Sequence, residues 1–169
     1  MRLSTKGRYG LRALVDLAAH EEGEAVSLAR TAQRQKLSLN YLEQVFGMLR
    51  RAGIVAGVKG SNGGFRLTRD MDEITVKEVL EALEGKFSIV DESDKDTQDP
   101  VQSALSALLW DEIDRRVDHF LQEKTLGSLV REYRRNLDKD AAADHSWGDN
   151  PVSTYQKRTQ RRTERKATE

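Results

Sequence analysis

The sequence predicts a mainly α-helical protein whose fold is a winged helix-turn-helix, three helices plus a β-hairpin wing, with a long C-terminal dimerisation helix. Apolar residues recur at helical spacing in three segments, and a very short turn separates the last two, which is typical of a helix-turn-helix. Two β-branched or aromatic runs then flank a glycine-rich stretch, as in a hairpin. We expect four regions: the winged helix-turn-helix at residues 1–85, an acidic loop at 86–99, dimerisation helices at 100–136 and a disordered tail at 137–169.

The helix-turn-helix is defined by its caps and its apolar stripes. The first helix is expected over residues 5–20, and the second from Ser27, a favourable N-cap, to about Gln35. Ser38 can cap the third helix, which Gly53 ends. The side chains predicted to form the buried stripe of the third helix are Leu39, Leu42, Val45, Phe46 and Leu49.

The chain after the third helix changes from helical to strand-like spacing and back again. Short strands are expected around residues 54–58 and 65–67, as the two arms of the wing. Thr75 and Glu78 form a capping-box pattern that begins a fourth helix, and Gly85 ends it. Beyond this point the sequence predicts an acidic loop.

A long helix is predicted from residue 101 to about residue 123, and Thr125 can cap a last short helix behind it. The long helix would extend roughly 35 Å, more than a winged-helix core can cover. It therefore needs a second surface, and we expect the same helix of another copy to supply it in a homodimer. The residues expected at this interface are Val101, Leu105, Leu108, Leu109, Ile113, Val117, Phe120 and Leu121.

The composition excludes several classes of site. The 169 residues include no cysteine, which removes disulfides, thiolate nucleophiles, zinc fingers and thiolate-held iron-sulfur clusters, and the three histidines are scattered. The sequence contains no nucleophile, no paired catalytic carboxylates and no metal cluster that would indicate an enzyme. Because no apolar run approaches about 18 residues and charges occur throughout the first twenty positions, we expect a soluble cytoplasmic protein with no membrane partner.

The net charge of zero conceals a strong asymmetry. Residues 1–69 carry twelve basic and five acidic side chains, a balance of +7, whereas residues 70–145 carry ten basic and twenty acidic side chains, a balance of −10. Residues 146–169 are again basic, at +3. This segregation suggests an N-terminal part that faces a polyanion and a central part that is kept away from it.

The outward face of the third helix is the candidate reader of DNA bases, because a helix fits the major groove. Asn40 and Gln44 can bond adenine bidentately, and Glu43 can accept a bond from the amino group of cytosine. Because its charge repels phosphate, Glu43 is expected to act on selectivity and not on affinity. The alternative is an ordinary solvated helix face, with Glu43 near Arg50.

The residues around this helix are candidates for contacts to the DNA backbone. In the hairpin loop, Lys59 precedes small residues that would let the backbone approach a phosphate or enter a minor groove, and the alternative is a plain glycine hairpin. Phosphate contacts set affinity and register without reading sequence. The full set of predicted backbone and wing contacts is Arg2, Lys6, Ser38, Tyr41, Arg50, Arg51, Lys59, Gly60 and Ser61.

Several motifs resemble those of a known family. They are MRLSTKGRYG at residues 1–10, LNYLEQ at 39–44, AG at 52–53, KGSNGGF at 59–65 and TLGSL at 125–129. They occur in the order found in the bacterial winged-helix transcriptional regulators that include the iron-sulfur cluster regulator IscR, the cysteine-metabolism regulator CymR and the nitric-oxide-sensing repressor NsrR. The resemblance covers residues 1 to about 135.

The resemblance implies a dimeric transcription factor that binds double-stranded DNA at a palindromic promoter site. It places Asn40, Glu43, Gln44 and Lys59 at the DNA, although the family has arginine where this chain has Lys59, which weakens a bidentate or minor-groove contact there. Cluster-binding members carry three cysteines between the fourth helix and the long helix, where residues 87–99 have none. No cofactor is therefore expected, and the acidic loop is interpreted as solvated, with a divalent-cation site as the alternative.

Two functions from different classes follow. The first is a homodimeric sequence-specific regulator, a repressor of sulfur and cysteine or iron-sulfur metabolism genes. The alternative is a protein-interaction scaffold, in which the acidic half recruits a metabolic enzyme such as a cysteine synthase and DNA binding is incidental. The resemblance implies such an enzyme partner through the cysteine-metabolism regulator.

Overall fold

The computed structural model describes residues 3–60, 62–86 and 99–146, with the side chains of the last range described as far as residue 140. Within these residues the chain forms seven α-helices, one π-helical segment and two strands. Their bounds are α1 Thr5–Ala19, α2 Leu28–Gln35, α3 Leu39–Arg51, β1 Val55–Val58, β2 Gly64–Leu67, α4 Val76–Glu84, α5 Pro100–Leu105, the π-helical segment Ser106–Trp110, α6 Asp111–Glu123 and α7 Leu126–Ser146. The predicted fold class, a winged helix-turn-helix followed by C-terminal helices, is confirmed.

Short polar residues precede α2, α3 and α4 at the predicted positions, and those of α3 and α4 form side-chain caps. The hydroxyl of Ser38 accepts the backbone N–H of Tyr41 at the start of α3. Thr75 and Glu78 form a complete capping box at α4, each side chain bonding the other residue's backbone N–H. Ser27 precedes α2 but makes no side-chain cap bond. Such caps satisfy N–H groups that have no partner inside the helix.

The wing is an antiparallel hairpin whose base is joined to the turn between α1 and α2. Val55 pairs with Leu67, and Val58 pairs with Gly64. On the other side of β2, the N–H of Val26 donates to Phe65 O at 2.8 Å, and the N–H of Phe65 donates to Val26 O at 2.9 Å. A Cβ at Gly64 would collide with the carbonyl of Val26, so glycine permits this close approach.

The core of the winged helix-turn-helix lies where α1, α3, α4 and the base of the wing meet. Leu14, Leu17, Phe46 and Ile74 have no exposed surface. Gly10 of α1 lets the helices approach closely, because a Cβ there would press against Leu83 and Val45. The fully buried apolar residues belong to one cluster, which fixes α3 against the rest of the domain.

The beginning of α7 completes this core. Leu126 and Val130 are fully buried within the same cluster. The N–H of Leu126 donates to Ile74 O at 2.8 Å, and the N–H of Val76 donates to Lys124 O at 2.7 Å. The sequence interpretation assigned Leu126 and Val130 to the dimerisation segment, whereas here they pack into the winged helix-turn-helix of their own chain.

The segment predicted as one long helix begins at Pro100, and the π-helical turn interrupts it between α5 and α6. Along α5 and the π-helical turn, apolar side chains remain exposed, including Val101 at 67% and Leu108 at 82%. The later helix α6 packs on α4, and Lys77 forms an ion pair with Asp118 at 2.6 Å. The N-terminal half of this long segment therefore has less support from its own chain than the C-terminal half.

Two expectations are wrong. The sequence predicts a disordered tail from residue 137, but α7 continues to Ser146, because alanine and lysine extend a helix already begun. Leu39 was expected in the buried stripe of α3, yet it is 40% exposed, because it is the first residue of the helix and lies beyond the core. The remainder of the tail and most of the acidic loop lie outside the described residues.

The chain divides into two units between residues 131 and 132, a boundary that falls inside α7. The first contains the winged helix-turn-helix together with α5 and α6. In the second, Arg135 pairs with Glu132 at 2.6 Å. None of the helices within the described residues is long and apolar enough to span a membrane.

Candidate nucleic-acid interface

The solvent side of α3 carries the three side chains predicted to read bases. Asn40, Glu43 and Gln44 are exposed, whereas Leu42 and Phe46 on the opposite side have no exposed surface. The core contacts hold the helix in place, and the polar row is free to meet a ligand. The arrangement supplies amide donors and acceptors and one carboxylate acceptor, as direct readout of base edges requires.

The predicted backbone contacts on α3 lie at both ends of that helix. Ser38 precedes its first turn and is exposed, while Arg50 and Arg51 in its last turn are also exposed. Tyr41 is half-buried, and its hydroxyl donates to the carbonyl of Thr5 at 3.3 Å. Burial raises the pKa of Tyr41, and the negative charge of Glu84 raises it further, so this hydroxyl remains a donor at neutral pH.

The turn of the wing is shaped by its glycines. Lys59 and Gly60 are exposed, and Gly60 has a φ of 120°, which favours glycine. The N–H of Gly63 donates to Gly60 O at 3.0 Å and closes the turn. Of the other predicted contacts, Lys6 is half-buried on α1, whereas Arg2 and Ser61 lie outside the described residues.

The wing packs on α3 and is hydrogen-bonded to the segment that follows α1. The rings of Phe46 and Phe65 lie 5.3 Å apart at 59°, within the range of a favourable aromatic contact. Glu21, just after α1, accepts the N–H of Leu67 at 2.9 Å. The two surfaces predicted to meet DNA are therefore parts of one framework.

An ion pair between a buried carboxylate and an exposed arginine, which the sequence interpretation missed, joins α2 to α1. Asp16 is 2% exposed, and its carboxylate receives Nη2 of Arg34 at 2.6 Å and Nε2 of Gln35 at 2.8 Å. This pair fixes the first helix of the helix-turn-helix against α1. The available signal was a carboxylate next to Leu17 in an apolar helical stripe, since such a residue is buried only when it is paired.

The donor set does not suit a thiolate-held iron-sulfur cluster, because the chain has no cysteine. Nδ1 of His20 lies 2.7 Å from the carbonyl of Asp16, and Nε2 of His119 lies 3.3 Å from Glu123 on the exposed side of α6. Within the residues that the structure describes, no three histidine, aspartate or glutamate side chains are grouped to hold a metal ion.

The predicted dimer residues fall into two groups. Val101, Leu105, Leu108, Leu109 and Phe120 are exposed, from 40% at Leu105 to 82% at Leu108. Ile113, Val117 and Leu121 are partly covered within the chain. The first group presents an apolar surface to solvent.

Comparison with known proteins identifies relatives of this chain. Residues 3–132 match the Rrf2 family, described as iron-dependent transcriptional regulators. The HTH-type transcriptional regulator IscR of Photobacterium profundum is 41% identical over 133 residues, which cover 78% of this chain and 77% of that protein. The regulator of the same name from Vibrio vulnificus is 35% identical over 159 residues, which cover 91% of this chain and 95% of that protein. The structure of CymR, the global cysteine regulator of B. subtilis, has a TM-score of 0.68 and 35% identity, covering 78% of this chain and 98% of that one.

Proposed function

Because the chain belongs to the Rrf2 family of transcriptional regulators, and is a DNA-binding regulator and not an enzyme, we propose that it acts as a homodimer that represses genes by occupying a palindromic promoter site. Two copies of α3 would enter successive major grooves, one helical turn apart, and the wings would lie on the flanking backbone. The observation that carries the proposal is the exposed row of Asn40, Glu43 and Gln44 on a helix whose other face is fully buried.

The charge distribution supports this orientation. The basic first 69 residues contain α3 and the wing, whereas the acidic middle of the chain contains α5 and α6. A polyanion attracts the first part and repels the second. In this arrangement Lys6, Arg50, Arg51 and Lys59 supply phosphate contacts, and α3 supplies base contacts.

The exposed apolar side chains along α5 and α6 support a second copy as the partner. Leu108 and Phe120 are 82% and 56% exposed, and burying each would contribute about 1.5 to 3 kcal/mol. A twofold dimer covers the same surface on both copies and places two reading helices symmetrically, as a palindromic site requires. The scaffold alternative would instead cover this surface with a metabolic enzyme.

The regulated genes are proposed from the relatives. CymR is the global cysteine regulator of its organism, and the matched family is described as iron-dependent. We place the targets in sulfur and cysteine or iron-sulfur metabolism. Because the chain lacks cysteine, the proposed regulator has no cysteine-ligated cluster and takes its signal by another route.

Substitution of Gln44 tests the reading of bases. We expect Gln44→Ala to weaken binding to the cognate site by about 1 to 3 kcal/mol, because a bidentate bond to a base is lost. Binding sites selected from a random DNA library give the cognate sequence, and fluorescence anisotropy gives the affinities. Gln33→Ala, at an exposed glutamine of α2, is the matched control. Equal binding of Gln44→Ala and wild type would contradict the assignment.

Glu43 is expected to behave differently, because its carboxylate disfavours the polyanion. In Glu43→Ala, affinity should be kept or raised, and the sequences selected from the random library should become less restricted. Wild-type affinity should also fall by orders of magnitude between low and moderate salt if a dimer neutralises about 6 to 10 phosphates. An unchanged selected motif would refute the role of Glu43, and a flat salt response would refute the phosphate contacts.

A further inference from the structure

The last residue of α4 contacts the first turn of α1, 77 positions away along the chain. Oε1 of Glu84 accepts the backbone N–H of Gly7 at 2.6 Å, and the hydroxyl of Ser4 donates to the same oxygen. Ser4 is also the N-cap of α1, since its Oγ accepts the N–H of Lys6 at 3.1 Å. Glu84 and Ser4 together satisfy N–H groups that a helix leaves open at its beginning, and Glu84 does so from another helix.

Glycine at position 7 makes this approach possible. A Cβ on Gly7 would collide with Oε1 of Glu84 and lie 3.1 Å from two further atoms of the same side chain. Any larger residue would have to displace the carboxylate from the N–H that it binds. The contact thus depends on both residues, and neither belongs to the surface predicted to touch DNA.

The first turn of α1 carries one of the predicted DNA-backbone contacts and is hydrogen-bonded to a second one on the reading helix α3. Lys6 lies in this turn, and the carbonyl of Thr5, its first residue, accepts the hydroxyl of Tyr41 at 3.3 Å. Tyr41 lies in the first turn of α3, next to Asn40. A shift of the first turn of α1 would therefore move Lys6 directly and Tyr41 through its hydrogen bond.

We propose that Glu84 is a positioning residue for DNA binding: its carboxylate fixes the first turn of α1 so that Lys6 and Tyr41 meet the phosphate backbone beside the reading helix. The inference rests on the proposed function. The charge of Glu84 separates two explanations. If removing this carboxylate only relieves electrostatic repulsion of DNA, the affinity should rise. If it removes the positioning of the first turn of α1, the affinity should fall.

The test measures binding of the full-length protein to its selected operator at several salt concentrations, by fluorescence anisotropy. We expect Glu84→Ala to lower affinity about tenfold and to reduce the slope of log affinity against log salt by about two, as each copy of the dimer loses one phosphate contact. Glu84→Gln keeps an acceptor oxygen for the N–H of Gly7 and should bind within about threefold of wild type. Glu81→Ala removes the same charge one turn earlier on α4 and should not weaken binding.

A second variant addresses the same contact from the other side. Gly7→Ala introduces the Cβ that displaces the carboxylate, and it should lower affinity by about as much as Glu84→Ala, while alanine favours the helix. In the double variant the carboxylate is absent, so Gly7→Ala should add no further loss, which is the non-additivity expected of two residues in contact. If Glu84→Ala does not fold, as judged by circular dichroism at the assay temperature, Gly7→Ala and Glu84→Gln still decide the matter.

Each result has a definite meaning. A folded Glu84→Ala or Gly7→Ala variant that binds the operator as tightly as wild type, with the same salt slope, would overturn the inference and leave the proposed function intact. A lower melting temperature with unchanged affinity of the folded protein would assign Glu84 a structural role and also overturn it. A wild-type protein that binds no DNA would remove the proposed function and this inference together.

Discussion

The winged helix-turn-helix and the α5–α6 segment differ in how far each buries its own apolar side chains. In the first, Leu14, Leu42 and Phe46 have no exposed surface, and Leu126 reaches in from α7 to complete the core. In the second, no residue of α5, the π-helical turn or α6 is buried. Both regions have apolar side chains at helical spacing. This spacing alone does not tell whether the side chains are buried within the same chain or against another molecule.

This contrast indicates where stability and assembly reside. Residues of the closed core determine whether one chain folds, whereas the exposed apolar residues of the second region act on association with another molecule. Substitutions in the two regions should therefore separate folding from assembly.

Truncation of the core aromatic should have the largest effect. Phe46→Ala removes a fully buried ring that packs on Phe65, and we expect it to cost about 3 to 5 kcal/mol of folding stability. Urea denaturation followed by circular dichroism measures the loss. Leu39→Ala, on the same helix but 40% exposed, is the control and should cost less than about 1 kcal/mol. Comparable losses in the two variants would show that the core is not closed as described.

Truncation on the exposed surface should affect assembly. Leu108 is 82% exposed, and we expect Leu108→Ala to weaken the proposed dimer by about 2 kcal/mol, roughly thirtyfold in its dissociation constant. Sedimentation equilibrium measures this constant, and Ser103→Ala, at an exposed polar residue of α5, is the control. A wild-type chain that sediments as a monomer throughout the micromolar range would refute the dimer.

A smaller effect is expected from the capping box of α4, within the closed region. Burial raises the pKa of Glu78, but the hydrogen bonds from Thr75 and the charge and hydrogen bond of Arg69 outweigh it, so the net pKa is lowered. Glu78→Ala should cost about 1 kcal/mol at neutral pH. Because the folded pKa lies below the unfolded one, this stabilisation is present above the ordinary value of 4.5 and is lost as the pH falls through the folded value.

Stability measured by urea denaturation from pH 7 to pH 3 checks this dependence. The difference in the free energy of unfolding between wild type and Glu78→Ala should decrease steadily as the pH falls towards 3. Glu73→Ala, an exposed carboxylate in the loop before α4, should leave stability nearly unchanged at neutral pH. A difference between wild type and Glu78→Ala that stays constant with pH would mean that the ionised form of Glu78 contributes nothing to the cap.

Features set by neighbouring residues could be predicted from the sequence. Ser38 caps α3, Thr75 and Glu78 form the capping box, and Thr125 accepts the N–H of Ser128 at 3.1 Å at the start of α7. The exposed row on α3 also followed from its periodicity. In each instance the interacting groups lie within one or two helical turns, so local spacing specifies the geometry.

Features that depend on distant parts of the chain could not be predicted in this way. The contact of Glu84 with Gly7 and the pair of Asp16 with Arg34 join different helices, and local spacing does not specify which helix a carboxylate faces. The membership of Leu126 in the winged-helix core has the same origin. The continuation of α7 to Ser146 was missed because low apolar content was interpreted as disorder, although helix propensity permits extension.

The attachment of β2 to Val26 has a consequence for the geometry of the target site. Two backbone bonds join β2 to Val26, in the segment before α2, and the Phe46–Phe65 contact joins the wing to the reading helix α3. The wing and α3 therefore cannot adjust separately when the spacing between their DNA contacts changes. One inserted base pair between their contacts displaces the next by about 3.4 Å and rotates it by roughly 35°. Such an insertion should therefore be tolerated less well than exchange of a single base pair, and the length of each half-site should be strictly conserved.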